Sequence, residues 1–286
     1  MRTGPISVRA HAKVNLALRV LRRRDDGLHD IDSLVVPVSL ADDVEVEQHE
    51  HVRLEVTGSA GLVSGVPVDE TNLAFRAAVA LAHACPSAGG ATIRVEKRIP
   101  VAAGLGGGSA DAAAAMRALN DLWGCRLDPQ DLAEAAAHVG SDVPALLRGG
   151  PVVIRGAGSK VEPTPVPPLH LVLLPLGFSV TAEEAYRWWD EDGGPPGPSI
   201  EPMVGVAARG DLEAIAARMA NGLEGPVERR HAEVGRARER LLAAGAVGAM
   251  MSGSGPTVFG LCRDEAHRGD IASAIGPPAV AVTTLG

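Results

Sequence analysis

The stretch "AAGLGGGSADAAAAM" (102–116) sets four glycines and a serine directly ahead of an alanine run. Glycine is the poorest ordinary helix former and alanine the best. The abrupt change marks a loop whose backbone comes close to something, followed at once by a helix whose N-terminus points at it. A glycine-rich turn presents successive N–H groups in a concave nest, and the helix behind it adds roughly +0.5 charge from its dipole. The chemistry that suits such a device is polyphosphate binding, and the segment assigned to it is Pro100-Val101-Ala102-Ala103-Gly104-Leu105-Gly106-Gly107-Gly108-Ser109-Ala110. A Walker loop is excluded because no lysine follows the glycines. The dinucleotide fingerprint fails because Ser109 stands where its last glycine is required. From the glycines alone, a flexible hinge before a helix remains an equal alternative.

Elements flanking the loop must position it. "ATIRVEKRIP" (91–100) reads as a strand running into it, and a helix of about eighteen residues, about 27 Å long, follows from roughly Gly107. Upstream, "ISVRAHAKVNLALRVL" (6–21) is extended, "RRRDDGLHDI" (22–31) is a charged turn, and "DSLVVPVSL" and "DDVEVEQHEHVRLEVTG" supply further strands. "DETNLAFRAAVALAHAC" (69–85) has helix caps and helical periodicity. "DPQDLAEAAAHVGSDVPALLRGG" (128–150) reads as two short helices broken at Gly140, and the proline-rich "GSKVEPTPVPPLH" (158–170) as a linker. Beyond it come a buried strand, the short helix "TAEEAYRWWDE", a long amphipathic helix over 225–246, and strand–glycine turn–strand in "VGAMMSGSGPTVFGL" (247–261). Strands and helices mix without strict alternation, so the class is α+β with two domains, 1–160 and 161–286.

The 286 residues are 46% apolar and 22% charged, which is globular composition, and aromatics are only 2%. A net charge of −8 argues against nucleic-acid or anionic-membrane partners. A nest of backbone N–H groups is what lets an acidic chain hold a phosphate without a basic surface. Cys85, Cys125 and Cys262 are scattered and unpaired by motif, so reduced thiols and a cytoplasmic location are expected. The N-terminal "MRTGPISVRAH" has no apolar leader core, and no cluster of His and Cys suggests zinc. Of 27 cationic side chains only Lys13, Lys97 and Lys160 are lysines. A lysine among arginines can mark a site needing a compact point charge, although for Lys97 and Lys160 drift within an arginine-rich composition is the preferred reading.

"IPVAAGLGGGSADAAA" resembles the ATP-binding motif of the GHMP kinases. "AHAKVNLALRV", "RRDDGLHDIDSL", "GSDVPALLRGG" and "MMSGSGPTVFGL" extend the resemblance over nearly the whole chain in the family's order. Within the family they are most similar to the branch that phosphorylates the 2-hydroxyl of 4-(cytidine 5′-diphospho)-2-C-methyl-D-erythritol in the non-mevalonate isoprenoid route. The resemblance implies an N-terminal ATP-binding domain, a C-terminal ferredoxin-like domain and an active site in the cleft between them. It further implies ATP and Mg²⁺ as cofactors, a small-molecule substrate, and a monomer or homodimer in the cytoplasm. The rival is another small-molecule kinase of the family, of homoserine or mevalonate type.

On that resemblance Asp142, in "GSDVP", falls on the catalytic aspartate, where residue type alone favours an ordinary helix cap ahead of Pro144. Lys13 falls on the active-site lysine, where the residue alone reads as a solvated strand position. Asn15, two residues on, shares its face and is placed to meet the acceptor alcohol. His29 falls on the substrate histidine at the cytidine end. Leu28 departs from the family, which has an aromatic there, and Gly222 in "NGLE" stands where the family tends to have aspartate. Tyr186, the single tyrosine, is either a second stacking aromatic or a helix residue packed with Trp188 or Trp189. Ser109 and Asp111 are candidates beside Mg²⁺, with Asp111 preferred as a first-turn residue complementing the helix dipole; the metal ligands stay open.

Overall fold

The computed structural model describes residues 4–158 and 160–286. The first three residues of the N-terminal segment and Ser159 of the expected linker lie outside them. Two compact units interleave along the chain. Met1–Ala12, Leu40–Val101 and Gly106–Gly149 make the first, and Lys13–Ser39, Ala102–Leu105 and Gly150–Gly286 the second. Interleaving arises because two long strands, β1 (Ile6–Arg23) and β2 (His29–His49), contribute residues to both. The sequence reads β2 as two strands. It is continuous through Pro37, whose carbonyl accepts from the Leu285 N–H at 2.8 Å.

In the first unit β3 (Arg53–Gly58) lies parallel to β4 (Gly90–Lys97), and β4 pairs antiparallel with the second half of β2, from Asp43↔Glu96 to His49↔Gly90. Five helices complete it: α1 (Ala60–Val63), α2 (Leu73–Ala84), α3 (Gly107–Leu122), α4 (Pro129–Ala137) and α5 (Val143–Arg148). Asn72 caps α2 by accepting from the Ala74 N–H, and Asp128 caps α4. The alanine run of α3 is buried on nearly every side, from Ala110 through Ala118. Small side chains let neighbouring elements approach a helix that is apolar all round.

Cys85 and Cys125 form a disulfide, with Cα atoms 5.3 Å apart, and Cys262 is a free buried thiol. This corrects the expectation of three reduced thiols. The two cysteines are 40 positions apart, and the packing of α2 beside α3 brings them together. No spacing rule encodes such a pairing.

The second unit adds β5 (Val152–Gly156), β6 (Lys160–Pro163), β7 (His170–Leu174), β8 (Ala220–Asn221), β9 (Gly248–Met251), β10 (Val258–Cys262) and β11 (Val280–Thr283). Its helices are α6 (Ala182–Glu191), α7 (Glu201–Arg209), α8 (Leu212–Ala216), α9 (Glu224–Arg230), α10 (Glu233–Ala243) and α11 (Glu265–Ile275). Antiparallel strands in the order β11-β7-β10-β9 form a four-stranded sheet. The first half of β2 pairs with β5, and β8 runs parallel to β1 at Ala17↔Ala220 and Leu18↔Asn221. Part of the expected linker is strand β6, paired to β5. The single helix expected over 225–246 is two, α9 and α10. His231 leaves helical geometry at φ −136°, with its ring stacked on Phe178 at 4.6 Å, inside a sequence whose periodicity is helical.

Candidate active site

Ala102, Gly104 and Gly106 all take positive φ, at 48°, 73° and 70°. Left-handed geometry is routine for glycine and uncommon for alanine. The result is a turn whose carbonyls face inward. Ala102 O accepts from Val180 N at 3.2 Å, Ala103 O from Thr257 N at 3.3 Å, and Leu105 O from Lys13 N at 3.0 Å. Gly104 O accepts twice, from Lys13 Nζ at 2.9 Å and Ser252 Oγ at 3.0 Å. In a planar trans peptide the N–H points opposite to the carbonyl. Four successive carbonyls held by the protein therefore turn the following N–H groups the other way. Gly106 then caps α3, whose first N–H groups have no partner within the helix.

Lys13 is 5% exposed, so the solvated reading of that position does not hold. Its ammonium donates to Asn15 Oδ1 at 2.7 Å as well as to Gly104 O. Asn15 Nδ2 donates to Ser33 Oγ at 2.8 Å, and Ser33 donates on to Ala17 O at 2.7 Å. Spacing on one strand face put Lys13 and Asn15 together as expected. The contacts of Ser33 with Asn15 and of Ser252 with Gly104 O were not foreseen, because each partner arrives from a strand or turn distant in sequence.

The first unit holds Gly106 to Ala110 and Asp142. Asp142 occupies the N-cap position of α5 ahead of Pro144, but its backbone is helical (φ −87°) and its side chain makes no capping bond. The carboxylate is therefore not spent on the helix, contrary to the reading from residue type.

Lys97 and Asp111 also depart from expectation. Lys97 is buried and donates to both Asp42 and Asp111, the latter at 2.6 Å. Asp42 accepts in addition from the N–H groups of Arg98 and Ile99. Lys97 is thus no product of drift, and Asp111 is an ion-pair partner rather than a dipole complement. Burial pushes the Asp111 carboxyl up to about 8, with Lys97 opposing and Asp42 reinforcing the rise. Burial lowers the Lys97 ammonium, yet the two carboxylates outweigh that and leave it above its ordinary value.

At the other end of β1, His29 Nε2 donates to Asp190 Oδ1 at 2.9 Å. Its ring stacks on Tyr186 at 4.7 Å with planes 19° apart, and meets the edge of Trp189 at 5.7 Å. Tyr186 thus packs face to face with His29. Leu28 is 53% exposed at the hairpin tip, where Asp26 accepts from its N–H at 3.1 Å. Asp190 was not expected; its only signal in the sequence is its place one helical turn after Tyr186.

A cleft of about 1150 Å³ between α2 and α4, lined by Phe75, Arg76, Val79, His83, Leu127 and His138 among others, contains none of the expected site residues. Among the described residues no group of three or more His, Cys, Asp or Glu is arranged to hold a metal, and no helix is long and apolar enough to cross a membrane.

A two-domain α+β fold with an inward-facing glycine turn ahead of an alanine-rich helix defines a class, and comparison with known proteins bears on it directly. Residues 72–150 match the N-terminal domain of GHMP kinases and residues 203–277 match the GHMP kinases C-terminal domain. The chain belongs to the GHMP kinase family, and membership implies ATP as phosphoryl donor. More particularly, it is similar to 4-diphosphocytidyl-2-C-methyl-D-erythritol kinases. That of Symbiobacterium thermophilum is 43% identical over 276 residues, covering 95% of this chain and 96% of the other. That of Deinococcus radiodurans is 40% identical, covering 93% and 87%. The crystal structure of a 4-(cytidine 5′-diphospho)-2C-methyl-D-erythritol kinase superposes with a TM-score of 0.80 at 37% identity, covering 98% of this chain and all of that one. Homoserine kinase from Cytophaga hutchinsonii, at 21% identity and a TM-score of 0.75 over 100% of this chain and 95% of the other, shares the fold.

Proposed function

We propose that this protein transfers the γ-phosphoryl group of ATP to the 2-hydroxyl of 4-(cytidine 5′-diphospho)-2-C-methyl-D-erythritol, giving the 2-phosphate and ADP, a step in making isoprenoid precursors by the non-mevalonate route. The observation that carries this is the 43% identity, over nearly the full length of both chains, to a kinase of that name. The homoserine and mevalonate kinases are alike in fold only, at 21% and 16% identity.

Phosphoryl transfer demands positioning and charge compensation more than covalent chemistry. The inward carbonyls of Ala102 to Leu105 support the reading that the glycine segment offers its N–H groups to the phosphates of ATP. Lys13, held by Gly104 O and Asn15 Oδ1, supplies positive charge to the transferring phosphoryl group. The substrate 2-hydroxyl attacks the γ-phosphorus, the bond to the bridging oxygen breaks, and Asp142 takes the hydroxyl proton. Asn15 orients the acceptor alcohol. His29 and Tyr186 bind the cytidine end, with Asp190 fixing the imidazole. Magnesium, which neutralises phosphate charge when bound, suits a site poor in protein donors. Asp111 is committed to Lys97, so Ser109 is the candidate protein ligand. We read it as a cytoplasmic enzyme, monomer or homodimer, in which Cys85 and Cys125 are placed to bond where conditions are oxidising.

A substrate panel tests the assignment. The protein with ATP and Mg²⁺ is offered the cytidyl alcohol, mevalonate and homoserine, with ADP release measured and the product's phosphate position read by ³¹P NMR. The expected result is turnover of the cytidyl alcohol to its 2-phosphate. Turnover of mevalonate or homoserine without it overturns the proposal.

A further inference from the structure

Asn221 ends β8 with its side chain pointed into the second unit, and the residue is 9% exposed. Its Nδ2 donates to the carbonyls of Met251 and Gly253, both at 2.8 Å, and its Oδ1 accepts from Leu223 N at 2.9 Å. Met251 and Gly253 flank Ser252, whose hydroxyl reaches Gly104 O and whose N–H donates to Thr257 O at 2.9 Å. One amide thus spans the base of the second glycine turn.

That turn forms a wall against Lys13. A Cβ built on Gly253 would lie 2.7 Å from Lys13 Nζ, 3.0 Å from Gly104 O and 3.2 Å from Asn15 Oδ1. On its other side Asn221 is registered to β1, the strand carrying Lys13, through the Leu18↔Asn221 pairing and the Gly222 N–H donating to Leu18 O at 2.8 Å. Asn221 therefore fastens the turn to the strand on which the ammonium is mounted.

We propose that Asn221 is a positioning residue for Lys13, setting where the ammonium sits by fixing the backbone at Gly253. The inference rests on the reading of Lys13 as the group that compensates phosphoryl charge. Only a primary amide of this length meets the local demand, since two carbonyls need two N–H donors and the Leu223 N–H needs an acceptor. A carboxylate would set negative oxygens against two carbonyls, and an apolar isostere would leave three buried backbone groups unpartnered. The neighbouring Gly222 is free of this constraint. A Cβ there would meet Val20 and Leu18 at ordinary contact distances of 3.4–3.6 Å, so the role in "NGLE" belongs to the amide and not to the glycine.

The test uses the full-length protein with Asn221→Asp, Gly253→Ala, Lys13→Met and the Asn221→Asp/Lys13→Met double variant, following melting temperature and steady-state kinetics for both substrates. Asn221→Asp is expected to lower kcat at least tenfold with both KM values within about threefold of the parent, and to add nothing further to Lys13→Met. Gly253→Ala crowds the ammonium from the turn itself and is expected to lower kcat in the same way. It decides the matter if Asn221→Asp does not fold. Normal turnover in the folded variants, or losses that add to an impaired Lys13→Met, overturns the positioning role alone. Normal turnover in Lys13→Met overturns the reading of Lys13, and this proposal with it.

Discussion

The ammonium of Lys13 donates to the carbonyl of Gly104 at 2.9 Å, joining two residues 91 positions apart in the chain. Ser252 Oγ shares that oxygen at 3.0 Å. A single peptide carbonyl is thus the point where β1, the first glycine turn and the second glycine turn meet within one compact unit. The Lys13 side chain, through this oxygen, is tied to the same peptide whose orientation determines which way the loop's N–H groups face.

Gly104→Ala breaks this junction. A Cβ there would lie 2.1 Å from Ser252 O and 2.7 Å from Gly255 N, both backbone atoms with nowhere to move, and φ is +73°. Clash and left-handed strain together are expected to cost about 3 kcal/mol or more. Melting temperature and kcat should fall together; wild-type values for both would show that the two turns do not interlock.

Lys97 donates to buried Asp42 and Asp111, so Lys97→Met leaves the Asp42 carboxylate without its cation and Asp111 without its donor. The expected loss is about 3–5 kcal/mol of stability. The raised Asp111 carboxyl sets a pH dependence as well. Its folded value near 8 lies above the unfolded carboxylate range near 4, so the folded state holds a proton that the unfolded chain has released. Stability from this group accordingly falls as pH rises through the window from about 4 to about 8 and levels off above it. Asp111→Asn, a neutral isostere, is expected to flatten that slope in urea unfolding at pH 5 to 9. An unchanged slope would place the titration elsewhere.

How much of this was legible in the sequence follows from where each partner lies. The glycine turn, α3 and the Lys13–Asn15 pair are local patterns, written in residue type and a spacing of two. The helix breaks at His231, beside Phe178, inside a stretch whose periodicity is helical throughout. Lys97 looked like an ordinary strand cation because Asp42 lies 55 positions away. Ser252 lies 148 positions from Gly104, so the glycine turn legible in "SGSGPT" carries no sign that it touches the first glycine turn. Asp142 was visible as a helix start. That its carboxylate does not cap the helix is a matter of backbone angle.

Cys85 and Cys125 close a loop of 40 positions, so reduction removes a constraint on the unfolded chain of about 4 kcal/mol in the chain-entropy account. Dithiothreitol is expected to lower the melting temperature, and Cys85→Ser/Cys125→Ser to lower it equally while becoming insensitive to reductant. Thiol titration of the denatured protein should count one free thiol before reduction and three after. Three before reduction would show that the bond does not form.

Tyr186 stacks on His29 with planes 19° apart, and the proposed role is that its ring also meets the cytosine of the substrate. Base–aromatic stacking is worth about 1–3 kcal/mol, so Tyr186→Ala should raise KM for the cytidyl substrate about 5- to 150-fold with kcat nearly unchanged and KM for ATP unaffected. Tyr186→Phe should behave as wild type if the ring face is what matters. An equal loss in both variants would move the role to the hydroxyl.

Asp142→Asn tests the proposed proton acceptor without changing shape. The wild-type side chain makes no bond to the N–H groups of α5, so losing its charge removes no cap from the helix. Stability should therefore change by less than about 0.5 kcal/mol, the range of substitutions that break no named contact. ATP affinity, read by calorimetry, should stay within a few fold, because the proposed role gives the carboxylate no part in holding the phosphates. Turnover should fall about 100- to 10,000-fold, the range that positioned acid–base groups supply. A loss of kcat with unchanged KM values marks an interaction made only on the way to transfer. If Asp142→Asn turns over at the wild-type rate, another group takes the proton, and the assignment of Asp142 is wrong even where the kinase activity stands.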